Sequence, residues 1–132
     1  MPSEILVSET ITLGNPISLD CPSSKTNFSV VFEDDGETGY FYGLNLDNKK
    51  QPVLDALQIY NVKDILDESI SVKVEIIWSE DGLKSCLAIN GFKHAVFDFA
   101  SGKAYCRMNY PPPDRRFTNS HKWDERALEL FK

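Results

Sequence analysis

The stretch that most constrains this chain is Val72 to Arg107, VKVEIIWSEDGLKSCLAINGFKHAVFDFASGKAYCR. Apolar, β-branched and aromatic residues alternate with polar ones along it. The alternation is broken at Glu80-Asp81-Gly82, Asn90-Gly91 and Ser101-Gly102. Asn-Gly suits a two-residue hairpin turn because both positions tolerate positive φ, and Asp-Gly and Ser-Gly are turn formers for related backbone reasons. The stretch therefore reads as four consecutive antiparallel strands. With Asn90-Gly91 as a two-residue turn, Ile89 faces Phe92, Leu87 faces His94 and Ser85 faces Val96; a four-residue loop over 79–82 sets Trp78 opposite Leu83. In that register Val72, Val74, Ile76, Trp78, Leu83, Leu87, Ile89, Phe92 and Val96 share a core face. The opposite face is mixed, from Lys73, Glu75 and Lys84 at one side to Ala95, Phe97 and Phe99 at the other, so a further element is expected to cover its apolar part.

The chain before this stretch reads as strands of lower clarity. Residues 4–13 alternate loosely and stop at Gly14-Asn15-Pro16, and Ile17 to Thr26 is an extended or looping passage containing Pro22. FSVVF (28–32) and GYFYGLNL (39–46) form a hairpin about Asp35-Gly36, in which Gly39 and Gly43 mark a bulge or the close approach of another element. Pro52 to Val62 is read as a helical turn running into a short strand. After Arg107, Pro111-Pro112-Pro113 cannot donate to a ladder and stops the sheet. Ser120 is a good N-cap, and Trp123, Ala127, Leu130 and Phe131 recur at helical spacing up to Lys132. The expected fold is α+β: one domain over residues 1–132, mainly an antiparallel β-meander sheet of about six to seven strands, covered by a C-terminal α-helix.

Charge and composition exclude several functions. The formal net charge is −6, which opposes binding that rests on neutralising phosphates, so no nucleic-acid partner is expected. Residues 1–102 hold 16 acids and 7 bases, whereas residues 103–132 hold 4 acids and 7 bases. There is no apolar run long enough to span a membrane, and the N-terminus lacks the basic and apolar regions of a signal peptide. No membrane partner is expected, and the expected location is the cytoplasm. Cys21, Cys86 and Cys106 are odd in number and lack metal-site spacing, so they read as reduced, buried thiols with no metal and no cofactor.

Candidate sites were sought where polar and aromatic residues concentrate. The acidic turns place Glu33, Asp34, Asp35 and Glu37 at one tip and Glu80 and Asp81 at another, without the alternate-position acids of a calcium loop. They suit either turn chemistry or an acidic rim for a basic protein. Tyr40 and Tyr42, on the strand after the first tip, supply an aromatic contact surface beside it. Trp78, His94, Asp98 and Tyr105 are the residues from which an aromatic small-ligand pocket would be built. YPPPDRRF (110–117) is either a stiff connector or a docking segment anchored by Arg115 and Arg116. No nucleophile elbow, phosphate loop, dinucleotide fingerprint or zinc-protease motif is present, and no catalytic residue is assigned.

The phrases FEDDGETGYFYGL, LDALQIYNV, VEIIWSEDGLKSCLAINGFKHAVFDF and YCRMNYP resemble a bacterial family of small proteins catalogued only as a domain of unknown function. The resemblance covers roughly residues 28 to 111 and implies no activity and no functional residues. Small acidic bacterial proteins of such families often prove to be immunity proteins or antitoxins, an argument from class. The expected function is thus a non-enzymatic protein-binding module, an immunity-type inhibitor of a basic bacterial toxin. Two alternatives stand beside it: a ligand-binding or enzymatic domain using the aromatic pocket, and a structural homo-oligomer subunit such as a homodimer.

Overall fold

The structure, a computed structural model, describes residues 3–64, 71–107, 121–123 and 125. The described residues form two sheets packed face to face. The larger contains β1 (Ser3–Thr12), β6 (Ser71–Ser79), β7 (Lys84–Ile89), β8 (Phe92–Asp98), β9 (Lys103–Cys106) and β10 (His121–Lys122), in that spatial order. The smaller contains β2 (Ile17–Pro22), β3 (Phe28–Asp34), β4 (Thr38–Asn45) and β5 (Val53–Asn61), also in chain order. Neighbouring strands run antiparallel except for the β9–β10 pair, which is parallel.

The core lies between the sheets and draws on both. Val30, Phe32, Phe41 and Leu57 of the small sheet meet Val74, Ile76, Trp78, Leu87 and Phe97 of the large one, all buried. Period-2 alternation puts these residues on one face of each strand, which is what forces two half-apolar sheets to stack. Phe41 and Phe97 touch across the interface with ring centroids 5.2 Å apart. The Trp78 indole N–H donates to the Cys21 carbonyl at 3.1 Å, so even the polar atom of this buried ring is satisfied from the opposite sheet. Gly43 lets the sheets come this close, since a Cβ there would sit 3.0 Å from the Phe97 ring.

The expected single meander under a C-terminal helix is corrected on four points. First, β2 to β5 make a sheet of their own, and this sheet covers Phe97 and Phe99. Second, residues 53–61 are strand throughout, followed by a 3₁₀ turn at Val62–Asp64; three β-branched or aromatic residues, Val53, Ile59 and Tyr60, and a partner strand outweigh the helical reading of Pro52 and Leu54. Third, no α-helix occurs among the described residues. His121–Lys122, where the helix was expected to begin, pairs with Tyr105–Cys106 of β9. Backbone pairing along β9 competes with helix formation here, and His and Trp are mediocre helix formers. Residues 126–132, with the rest of the expected stripe, and the YPPPDRRF segment lie outside the described residues.

Fourth, β8 changes face part-way along. Ile89 pairs with Phe92 and Ala88 with Lys93, but Leu87 then pairs with Ala95, so His94 is an extra residue bulged out of the ladder. One inserted residue inverts every side chain beyond it. Ala95 and Phe97 accordingly turn into the core, while Val96 turns outward and packs with Cys86, Ile77, Tyr105 and Trp123. Phe92, expected in the core, is 54% exposed. The β6–β7 pairing differs from expectation by two residues, with Trp78 opposite Ser85, and so preserves the face.

Candidate functional site

The outer face of the small sheet gathers a tyrosine pair, Tyr40 and Tyr42, and two acids, Asp20 and Glu33. Its strands pair so that Ser18, Glu33, Tyr40 and Gln58 form one cross-sheet row and Asp20, Val31, Tyr42 and Ala56 the next. The Tyr40 and Tyr42 rings, two residues apart on β4, stack at 5.6 Å with 25° between their planes. The Tyr42 hydroxyl donates to Glu33 Oε1 at 3.1 Å. Burial, and then the Glu33 carboxylate, push the Tyr42 phenol up to about 12, so it stays a neutral donor across the physiological range. Asp20 is exposed at the end of the second row.

None of the four strands carries a lysine, arginine or histidine. Their charged residues are Asp20, Glu33, Asp34 and Asp55. The large sheet, by contrast, holds Lys73, Lys84, Lys93, Lys103 and Lys122 on its strands. The segments that join or follow these strands hold Lys25, Lys49 and Lys50 at one end and Lys63 at the other.

The face runs into the β3–β4 turn. There the Thr38 hydroxyl donates to Asn61 Oδ1 at 3.3 Å, and the Gln58 amide also donates to that oxygen. Gly36, Glu37, Thr38, Asn61, Val62 and Lys63 line a groove of about 480 Å³ at this end. The turn is held by its own acids. The exposed Asp35 carboxylate accepts the backbone N–H of Glu37 (2.9 Å) and Thr38 (2.8 Å), which holds it below the usual carboxylate range. Asp34, 1% exposed, accepts from Gly36 N (2.8 Å), Gly14 N (2.8 Å) and the Tyr60 hydroxyl (2.6 Å). It ties the β1–β2 turn, the β3–β4 turn and β5 into one corner. Burial, followed by the Asp34 bond, raises the Tyr60 phenol far above its ordinary range.

The structure thus brings together Asp35, Glu37, Tyr40 and Tyr42 of the expected contact residues, and it turns Asp34 inward as a structural carboxylate. Glu80 and Asp81 lie at the opposite end of the sandwich. Their turn packs on the β2–β3 loop, where the Thr26 hydroxyl donates to the Gly82 carbonyl at 3.0 Å. Asp81 accepts from the Ser79 hydroxyl (2.6 Å), Leu83 N (3.0 Å) and Lys84 Nζ (3.0 Å), interactions that lower its carboxyl to about 2. The two acidic tips therefore do not form one rim. Glu33, which borders the tyrosines, belongs to the first acidic tip in sequence, whereas Asp20, two strands from Tyr42 in the same row, was not among the expected site residues. Asp20 would have emerged had Ile17, Leu19 and Cys21 been read as the inward half of a strand.

The four residues expected to line an aromatic pocket are dispersed. Trp78 is in the core between the sheets, stacked on Phe99 at 5.8 Å. Tyr105 packs on the outer face of the large sheet. Asp98, at the far end of β8, accepts from Ala100 N (3.1 Å) and Ser101 N (3.2 Å) and closes the Ser-Gly turn. His94 is half-buried at the bulge, edge-on to Phe92 at 5.2 Å, and burial together with the neighbouring Arg107 charge lowers its imidazole. The three cysteines are free and buried, the Cys86 thiol raised to about 12 by burial. Among the described residues no group of three or more His, Cys, Asp or Glu is placed to hold a metal ion.

A profile of uncharacterised proteins conserved in bacteria, DUF2251, matches residues 11–132. The chain belongs to that family. The DUF2251 match takes in both sheets except most of β1, and it includes β2 and the residues past 111 that the resemblance over residues 28 to 111 left out. An uncharacterised protein of Haemophilus influenzae is 42% identical over 111 residues, covering 83% of this chain and 69% of that protein. No solved structure matches. No helix among the described residues is long and apolar enough to cross a membrane.

Proposed function

We propose that this DUF2251 protein is a non-enzymatic protein-binding module that engages a basic protein partner through the outer face of its small sheet. The observation that carries this reading is the charge of that sheet: four adjacent strands without one basic residue, with Glu33 beside a tyrosine pair and Asp20 exposed at the end of the Tyr42 row. Acidic faces steer cationic partners, and tyrosine supplies contact area at low entropy cost. The dispersal of Trp78, His94, Asp98 and Tyr105 removes the arrangement on which a pocket-based activity would have rested. Neutralisation of a basic toxin by a cytoplasmic immunity protein is the setting in which we place the module, and three reduced, buried thiols suit that compartment.

The test is co-purification of a tagged chain with the products of its neighbouring genes, at low and at high salt. A basic protein should be retained at low salt and released at about 0.5 M salt, where surface charges are screened within a few ångströms. Replacing Asp20→Lys and Glu33→Lys together should abolish retention, while Glu80→Lys with Asp81→Lys at the far end should not. Retention indifferent to both salt and the first pair of substitutions would refute the reading.

A further inference from the structure

Glu33, Tyr40 and Tyr42 have the chemistry to select one kind of cation. The tyrosine rings stack at 5.6 Å, and Glu33 sits directly opposite Tyr40 in the β3–β4 ladder. The Tyr42 hydroxyl fixes Glu33 Oε1 beside the rings, and Oε2 makes no hydrogen bond among the described residues. A flat π surface and a positioned carboxylate oxygen in the same half-buried spot match a guanidinium. That group is planar, stacks on aromatic faces and donates in a fixed fork, whereas an ammonium is a compact point charge that stays more strongly hydrated.

The same chain shows this set of groups holding an arginine. The Arg107 guanidinium carbon lies 4.2 Å from the centroid of the Phe92 ring and 4.1 Å from that of Trp123. Its Nε donates to the Lys93 carbonyl at 2.6 Å, and its terminal nitrogen pairs with Glu125 Oε1 at 3.6 Å. The Trp123 N–H donates to that same Glu125 oxygen at 2.8 Å, as the Tyr42 hydroxyl does to Glu33. What recurs at both places is a carboxylate anchored by an aromatic side chain's own donor; the Arg107 guanidinium touches both of its rings, whereas Tyr40 and Tyr42 stack on each other and offer an outer ring face. At the first the cation is supplied from within; the four strands of the small sheet carry no base of their own.

We infer that Glu33, Tyr40 and Tyr42 form an arginine-binding subsite, which takes one guanidinium side chain of the basic partner and discriminates against lysine. This rests on the proposed contact face and deepens it to a residue type. The test is an NMR titration of the full chain with two probes of equal charge, a blocked hexa-arginine peptide and a blocked hexa-lysine peptide. The expected result is shifts centred on residues 33, 40 and 42, with the arginine peptide bound about threefold or more tighter. Glu33→Gln and Tyr40→Leu, both at the surface, should each erase that preference while leaving the rest of the spectrum in place. Equal affinity for both peptides at this face would overturn the arginine subsite and leave the acidic contact face standing. Shifts from neither peptide on this face would overturn both.

Discussion

Asp34 was legible as a turn residue but not as a buried one. In sequence it is one of four acids around Asp35-Gly36, and only the arrival of Gly14 and Tyr60 from either side separates its role from its neighbours'. Removing its carboxylate with Asp34→Ala strands a buried phenol and two backbone donors, so we expect a loss of about 3 kcal/mol in urea unfolding, against about 1 kcal/mol for Tyr60→Phe. Gly39 was read as a bulge or a close approach and is both. The β4–β5 register shifts beside it, and a Cβ there would lie inside the Tyr60 ring. Gly39→Ala should cost about 2 kcal/mol by the same measurement. Asp81 supplies a pH dependence. Its carboxyl falls from 3.8 to about 2 in the folded chain, so as pH drops the unfolded state binds the proton first. Its stabilisation is therefore complete above about pH 4 and is lost as pH falls toward 2. Half of the side chain is exposed, which keeps the effect below about 1 kcal/mol, and Asp81→Asn should flatten that part of the acid-unfolding profile.

Among elements, β3, β4 and β6 through β9 were visible because their alternation and turn residues agree. β2 was obscured by Pro22 and the serines after it, and β5 by a run of leucines and Asp55 that suits either secondary structure. What decides both is pairing with β3 and β4, a tertiary effect that no local pattern carries. The bulge at His94 is of the same kind: Asn90-Gly91 sets the register at the turn, and the alternation AVFDF cannot reveal that one residue is skipped. β10 is held to β9 by two residue pairs and by the Arg107 stack. Arg107→Ala should release Trp123 to solvent, seen as a red shift of its fluorescence while the unchanged Trp78 stays buried, at a cost of about 1 kcal/mol. Arg107→Lys should restore only part of that, because the ammonium does not stack.

For the molecule as a whole, the sequence carries an excess of acids over residues 1–102 but does not reveal how they are arranged. The hairpins were read as one sheet, which left the acidic turns free to be imagined as a single rim. Folding into two sheets sends those turns to opposite ends and leaves the strands of the small sheet with acids and no base. The measurement that bears on this most directly is photo-crosslinking in the native bacterium, with a photoreactive phenylalanine analogue placed at Tyr42 and, separately, at the exposed Lys73 on the outer face of the large sheet. The expected result is a discrete adduct with a basic protein from position 42 and none from position 73. Adducts from position 73 alone would contradict the assignment of the small sheet as the contact face.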